Sequence, residues 1–287
     1  MEKNSVYANQ DTIASDRSTW ESKGIRAVKQ LIHFGWGQAL SCLFPVVIFA
    51  SLALTQIFPL PFLPRYDWLL VICVLMQLVM VRAGLETKDE LKVITLFHII
   101  GLALELFKVH MGSWSYPDEG YSKIFGVPLY SGFMYASVAS YLCQAWRRLK
   151  VNLVNWPPFL TVVPLAAAIY VNFFTHHYWM DVRWILSGLV IIVFWRAWVT
   201  YEVNQVRYRM PLALSFVLIG FFIWIAENIA TFFGAWEYPN QADAWSLVHL
   251  GKVSSWLLLV IVSFLIVATL KLYKEKLPHK GIDDSKQ

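Results

Sequence analysis

The chain has 287 residues, 57% of them hydrophobic and 16% aromatic against only 15% charged, and its mean hydropathy is +0.51. Soluble domains carry about 25% charged residues, so a water-soluble globule is excluded and an integral membrane protein is expected. The net charge of +5 lies in basic residues scattered between apolar runs, which excludes nucleic acid as a partner, and Cys42, Cys73 and Cys143 stand singly in apolar segments, which excludes a disulfide framework or a CxxC zinc site.

Residues 1–36 read as a cytoplasmic tail and an interfacial helix. Residues 1–23 are rich in Ser, Asp, Asn and Lys, and the first apolar run begins only near Leu40, too far from Met1 for a cleavable signal peptide. Over Gly24 to Gly37, Ile25, Val28, Leu31 and Ile32 share one helical face while Arg26 and Lys29 share another, as in a helix lying in the membrane interface. Residues 37–272 then form a single membrane domain. A span needs about 20 apolar residues, and eight candidates follow: 37–58, 67–83, 93–112, 128–146, 159–176, 183–200, 210–233 and 249–271. Pro59, Pro61 and Pro64 end the first, ETKDELK (86–92) leads into the third, and Trp156, Pro157 and Pro158 precede the fifth. Residues 273–287 make a second cytoplasmic tail. Nineteen of the 24 lysines and arginines fall on one side of these spans; Arg65, Lys108, Lys123, Arg183 and Lys252 fall on the other. That bias puts both termini in the cytoplasm. The expected fold is an all-α, polytopic helical bundle of about eight spans.

One stretch recurs. Glu105 to Pro117, ELFKVHMGSWSYP, returns as Glu227 to Pro239, ENIATFFGAWEYP, with Glu, Gly, Trp, Tyr and Pro in register 122 residues later. Five matches of uncommon residues at fixed spacing indicate an internal duplication. The copies lie in the third and seventh spans, both running outward, so the expected arrangement is a parallel four-plus-four repeat about an axis along the membrane normal.

Each copy places an acid about 10 Å inside its helix exit, two turns before Gly112 or Gly234. Such an acid is costly in a bilayer and faces the protein interior. Burial favours its neutral form, which suits a proton donor. Glu105 and Glu227, with Tyr116 and Tyr238 to place a water, are therefore the candidate catalytic residues. Trp114, Trp236, His98, Asn228 and His249 are the candidate substrate contacts. The structural alternatives are an ion pair from Lys108 to Glu105 at i+3, a packing seam along Gly101 and Gly220, and aromatic residues placed by the interface alone. Asn172, His176, His177 and Asp181 form a polar cap near the outer end of the fifth span. Adjacent histidines on a helix point about 100° apart and no third ligand is at hand, so no metal is expected. No glycine-rich phosphate loop, GxSxG or HExxH is present, and no cofactor is expected.

The run from Glu105 through Leu142 resembles the YoaT-like family of bacterial integral membrane proteins, a resemblance that implies a multi-pass protein of the bacterial cytoplasmic membrane and no particular activity. A looser likeness links Glu105, Gly112, Trp114, Tyr116, Gly126 and Pro128 to membrane carotenoid hydratases and lycopene cyclases, although Tyr130-Ser131 stands where the cyclases carry paired acids. Three functions follow as expectations: acid-catalysed, hydration-type modification or binding of a membrane isoprenoid or lipid; proton-coupled transport of a small solute; or a non-catalytic scaffold. The partner in the first is a membrane lipid or small hydrophobic substrate. Oligomeric state has no signal in the sequence.

Overall fold

The structure, a computed structural model, describes residues 23–276, so most of the expected tails lies outside the described residues. Nine helices are described: α1 (Lys23–Ser41), α2 (Leu43–Ile57), α3 (Arg65–Arg82), α4 (Lys88–His110), α5 (Tyr130–Arg148), α6 (Phe159–Thr175), α7 (Arg183–Val193), α8 (Leu212–Phe232) and α9 (Lys252–Lys276). Each of the eight expected spans overlaps one of α2 to α9. Three of the described helices are long and apolar enough to cross a membrane by themselves, α4, α8 and the part of α9 from Lys252 to Thr269; α1 and α2 make a fourth if they are one span, bent by 69° at Cys42. Apolar side chains also cover the outside: Ile25, Leu31, Ile57 and Leu160 are all well exposed. A protein that turns such residues outward belongs in a lipid environment.

Two departures from an all-α reading occur. The expected span 183–200 is not one helix. After the 11-residue α7, the chain enters β4 (Trp198–Val203), which turns into β5 (Val206–Pro211) and also pairs with β3 (Asn152–Val154) in an antiparallel three-stranded sheet. Asn204 and Gln205 both have positive φ, as a two-residue hairpin requires, and Tyr201 stacks on Tyr208 across it at 5.8 Å. A second small hairpin joins β1 (Lys123–Ile124) to β2 (Val127–Pro128) through Phe125 and Gly126, both at positive φ.

Helix starts and stops follow local chemistry. Thr87 and Glu90 form a capping box at the head of α4, and Glu90 also receives Lys271 at 2.7 Å and Arg147 at 3.3 Å, tying α4 to α9 and α5. At the other end of α4, Gly112 (φ 67°) closes a Schellman turn: Ser113 N–H donates to Lys108 O and Gly112 N–H to Val109 O. Gly234 (φ 65°) closes α8 identically, with Ala235 N–H on Ala230 O and Gly234 N–H on Thr231 O. Packing pairs α2 with α3, α4 with α5, α6 with α7 and α8 with α9; α5 also packs on α2 and α3, as α9 packs on α6 and α7.

Candidate functional site

The two Trp-x-Tyr-Pro loops leave α4 and α8 at the same end of the bundle and meet. Ser115 and Glu237, equivalent positions in the two copies, exchange both backbone hydrogen bonds, at 2.9 and 3.0 Å, in an isolated antiparallel bridge. Beneath the bridge lie the two acids. Glu105 is 4% exposed; its Oε2 accepts from Trp114 Nε1 at 2.7 Å and Tyr116 OH at 2.8 Å, and its Oε1 from Tyr135 OH on α5 at 2.8 Å. Glu227 is 2% exposed; its Oε1 accepts from Tyr238 OH, and its Oε2 from Trp256 Nε1 on α9 at 2.6 Å. Each copy thus holds its carboxyl between the tyrosine of its own loop and an aromatic donor on the next helix. The constellations touch: the Trp114 and Tyr238 rings meet edge-on, 5.9 Å apart.

Between them and α6 opens a cavity of about 150 Å³. Glu227, Trp114, Tyr135, Tyr238, Trp256 and Lys252 contribute to its wall, whereas Glu105 sits behind Trp114 and Tyr135 and does not reach it. Apolar side chains from α6 and α9, Ile169, Leu258 and Val262 among them, make the opposite face. Lys252 Nζ lies 4.5 Å from the centre of the Tyr238 ring and 5.5 Å from that of Trp114.

The ion pair with Lys108, the alternative reading of Glu105, does not form. Lys108, 3% exposed, turns the other way and donates to Phe173 O at 3.0 Å and His177 Nε2 at 2.9 Å. This is possible because α6 ends at Thr175: His176 and His177 lie past the helix, so their rings come within 4.1 Å of each other instead of diverging. Partial burial and then the Lys108 ammonium hold the His177 imidazole down at about 4, so it is a neutral acceptor at pH 7. Asp181 bonds Arg183 and Asn172 and closes the cap.

Six of the nine sequence-derived candidates stand away from the cavity wall: Glu105 and Tyr116, which bond each other behind it, and Trp236, His98, Asn228 and His249. Trp236 is buried in the apolar cluster with Tyr116 and Tyr130. His98, two turns below Glu105, packs on the Phe133 ring at 4.4 Å and against Gly132. Asn228 pins the α8–α9 loop, accepting from Val248 N–H at 2.9 Å and donating to Trp224 O at 2.8 Å. His249 is exposed and accepts from Gly251 N–H at 3.0 Å. Conversely, sequence reasoning passed over Tyr135 and Trp256. The 122-residue spacing does not pair them: it places Leu257, one residue past Trp256, opposite Tyr135. Gly126 and Pro128, which carried part of the looser enzyme likeness, shape the β1–β2 hairpin.

Comparison with known proteins gives a consistent family. The model described as "Protein of unknown function (DUF817)" matches residues 30–264. The chain is 84% identical over 262 residues to "Uncharacterized protein YoaT" of Bacillus subtilis (strain 168), covering 91% of this chain and 99% of that protein. Among solved structures it is similar to MvINS, a mycobacterial Insig homolog from Mycobacterium vanbaalenii, at 13% identity and a TM-score of 0.47 over 63% of this chain and 93% of that one. A cross-linked trimer of MvINS matches at the same identity and TM-score over 67% and 97%.

Proposed function

The chain belongs to the DUF817 family, and for it we propose a membrane protein that binds the head of a lipid or isoprenoid at the outer-leaflet end of its bundle. The observation that carries this reading is the cavity, which combines an apolar face from α6 and α9 with a wall of aromatic and charged side chains. At about 150 Å³ it holds about five waters' volume and falls short of the roughly 300 Å³ at which sites for whole drug-sized ligands begin. A head group fits; a polyprenyl chain does not, and would lie along the apolar outside.

Binding is favoured over acid catalysis by the carboxyl geometry. An acid that protonates a double bond must aim its O–H at the substrate. Trp114 and Trp256 N–H groups only donate, so the oxygens they face must accept, and Glu105 is further enclosed by Tyr116 and Tyr135. The acids act as anchors that orient rings around the cavity.

The topology belongs to the same proposal. Eight spans with both termini cytoplasmic fit the helix found in each expected segment and the one-sided distribution of lysine and arginine. A parallel four-plus-four repeat is supported by the Ser115–Glu237 exchange and by packing of α2 to α5 that recurs in α6 to α9. The location is then the bacterial cytoplasmic membrane.

The test is mass spectrometry of lipids copurified with the full chain in mild detergent. Wild type is expected to retain an amphiphile that Leu258→Trp, which fills the cavity, releases. Identical lipid profiles from two equally monodisperse preparations would sink the reading.

A further inference from the structure

Three cations, Lys108, Arg183 and Lys252, line the cavity with one carboxyl, Glu227. Their partners differ. Arg183 is neutralised by Asp181 at 2.5 Å and donates to Ser255 Oγ at 3.0 Å. Lys108 has only neutral acceptors, the Phe173 carbonyl and the two imidazoles. Lys252 Nζ has, among the described residues, neither a hydrogen-bond acceptor nor a carboxylate oxygen within 4.0 Å; it rests on the faces of Tyr238 and Trp114. Glu227 attracts Lys252 across the cavity but makes no hydrogen bond to it, its oxygens being turned to Tyr238 and Trp256. An ammonium in so confined a place with three unspent donors takes its acceptor from whatever occupies the cavity.

The first copy of the repeat shows what the space is for. The position 122 residues before Lys252 is Tyr130. Tyr130 is fully buried, its hydroxyl donates to Ala235 O at 2.7 Å, and its ring packs with Tyr66 and Tyr116 at 5.3 and 6.3 Å. There three rings fill the volume. In the second copy an ammonium replaces the ring and a cavity stands beside it.

We infer that this cavity is a site for an oxyanion, a phosphate or carboxylate, held by Lys252 on α9 with Lys108 on α4 as the second positive charge. This rests on the amphiphile reading above only for its source: the same two lysines would take the head of an anionic lipid or a free anion. Glu227 keeps the aromatic wall in place, its oxygens accepting from Tyr238 and Trp256.

The test uses the full chain in a nonionic detergent and three probes, dodecyl phosphate, dodecanol and inorganic phosphate, with affinity read from the concentration dependence of the unfolding midpoint. Dodecyl phosphate is expected to stabilise the wild type and dodecanol not. Lys252→Gln should weaken dodecyl phosphate at least about tenfold, the loss of one charged hydrogen bond, while Lys252→Arg stays within a few-fold of wild type. Inorganic phosphate binding as tightly as dodecyl phosphate would keep the anion site and remove the amphiphile. Dodecanol binding wild type as tightly as dodecyl phosphate, or Lys252→Gln keeping the wild-type affinity for dodecyl phosphate, would overturn the anion site and leave the amphiphile. Should Lys252→Gln fail to fold, equal affinities of the two dodecyl probes for wild type still overturn the inference. Binding of none of the three overturns both.

Discussion

At the scale of single residues, the repeated tyrosines differ in how much depends on them. Tyr116 is one of three donors on Glu105, whereas Tyr238 is one of two on Glu227. A buried acceptor that loses a partner costs about 1–3 kcal/mol. Tyr238→Phe should therefore lower thermal stability in detergent more than Tyr116→Phe, and equal losses would show that the remaining donors do not compensate. His177 gives a pH signature. Its folded value of about 4 lies below the ordinary value of 6.5, so the unfolded chain binds more protons in that interval. Its contribution is fully present above about pH 6.5 and is lost as pH falls through about 4. The ring is exposed, so the effect is small. Unfolding midpoints recorded from pH 7 to pH 4 should fall, and Lys108→Gln, which removes the neighbouring ammonium, should shallow that part of the decline.

At the scale of elements, close helix approach builds the site. A Cβ on Gly101 would sit 2.4 Å from the ring of Tyr135, the residue that donates to Glu105 from α5. Gly101→Ala is thus expected to cost about 1–3 kcal/mol by overpacking and to shift Tyr135 off its carboxyl. Gly188 on α7 has nothing within 4 Å of such a Cβ, so Gly188→Ala should be neutral or stabilising by up to about 1 kcal/mol, the helix-propensity gain. Thermal unfolding of the pair in one detergent checks both signs. The seam expected along Gly101 and Gly220 is real, with a Gly220 Cβ only 3.0 Å from Leu257 N, and it holds the acids' partners rather than competing with them for the helix face. The shortness of α7, in contrast, was hidden: 183–200 is apolar enough for a span. The alternation in β4 and β5 around Asn204-Gln205 is the signal that outweighs it.

At the scale of the whole molecule, the two loops meet where the repeat predicts a twofold contact. Residues that exchange both backbone bonds in an antiparallel pair have Cα atoms about 5.5 Å apart, within disulfide range. Ser115→Cys combined with Glu237→Cys, in a background lacking Cys42, Cys73 and Cys143, should cross-link intramolecularly under mild oxidation and shift on a non-reducing gel. Failure to cross-link would separate the copies and with them the shared cavity wall. The cavity itself is asymmetric. The recurring motif holds two acid-and-ring constellations; beside one Tyr130 fills the core, and beside the other Lys252 faces an opening.

What the amino-acid sequence determined by itself was periodic or repeated: membrane character, from the dearth of charge; the approximate places of the helices, from apolar runs, with the end of α7 excepted; and the matching settings of Glu105 and Glu227, from five residues in register. These depend on local composition and spacing, which a linear reading preserves. Which way Lys108 turns, that Trp256 rather than Trp236 serves Glu227, and that Lys252 faces a cavity were decided by tertiary structure. A side chain's partner there lies dozens of residues away, and the choice is made by which helix end arrives beside it.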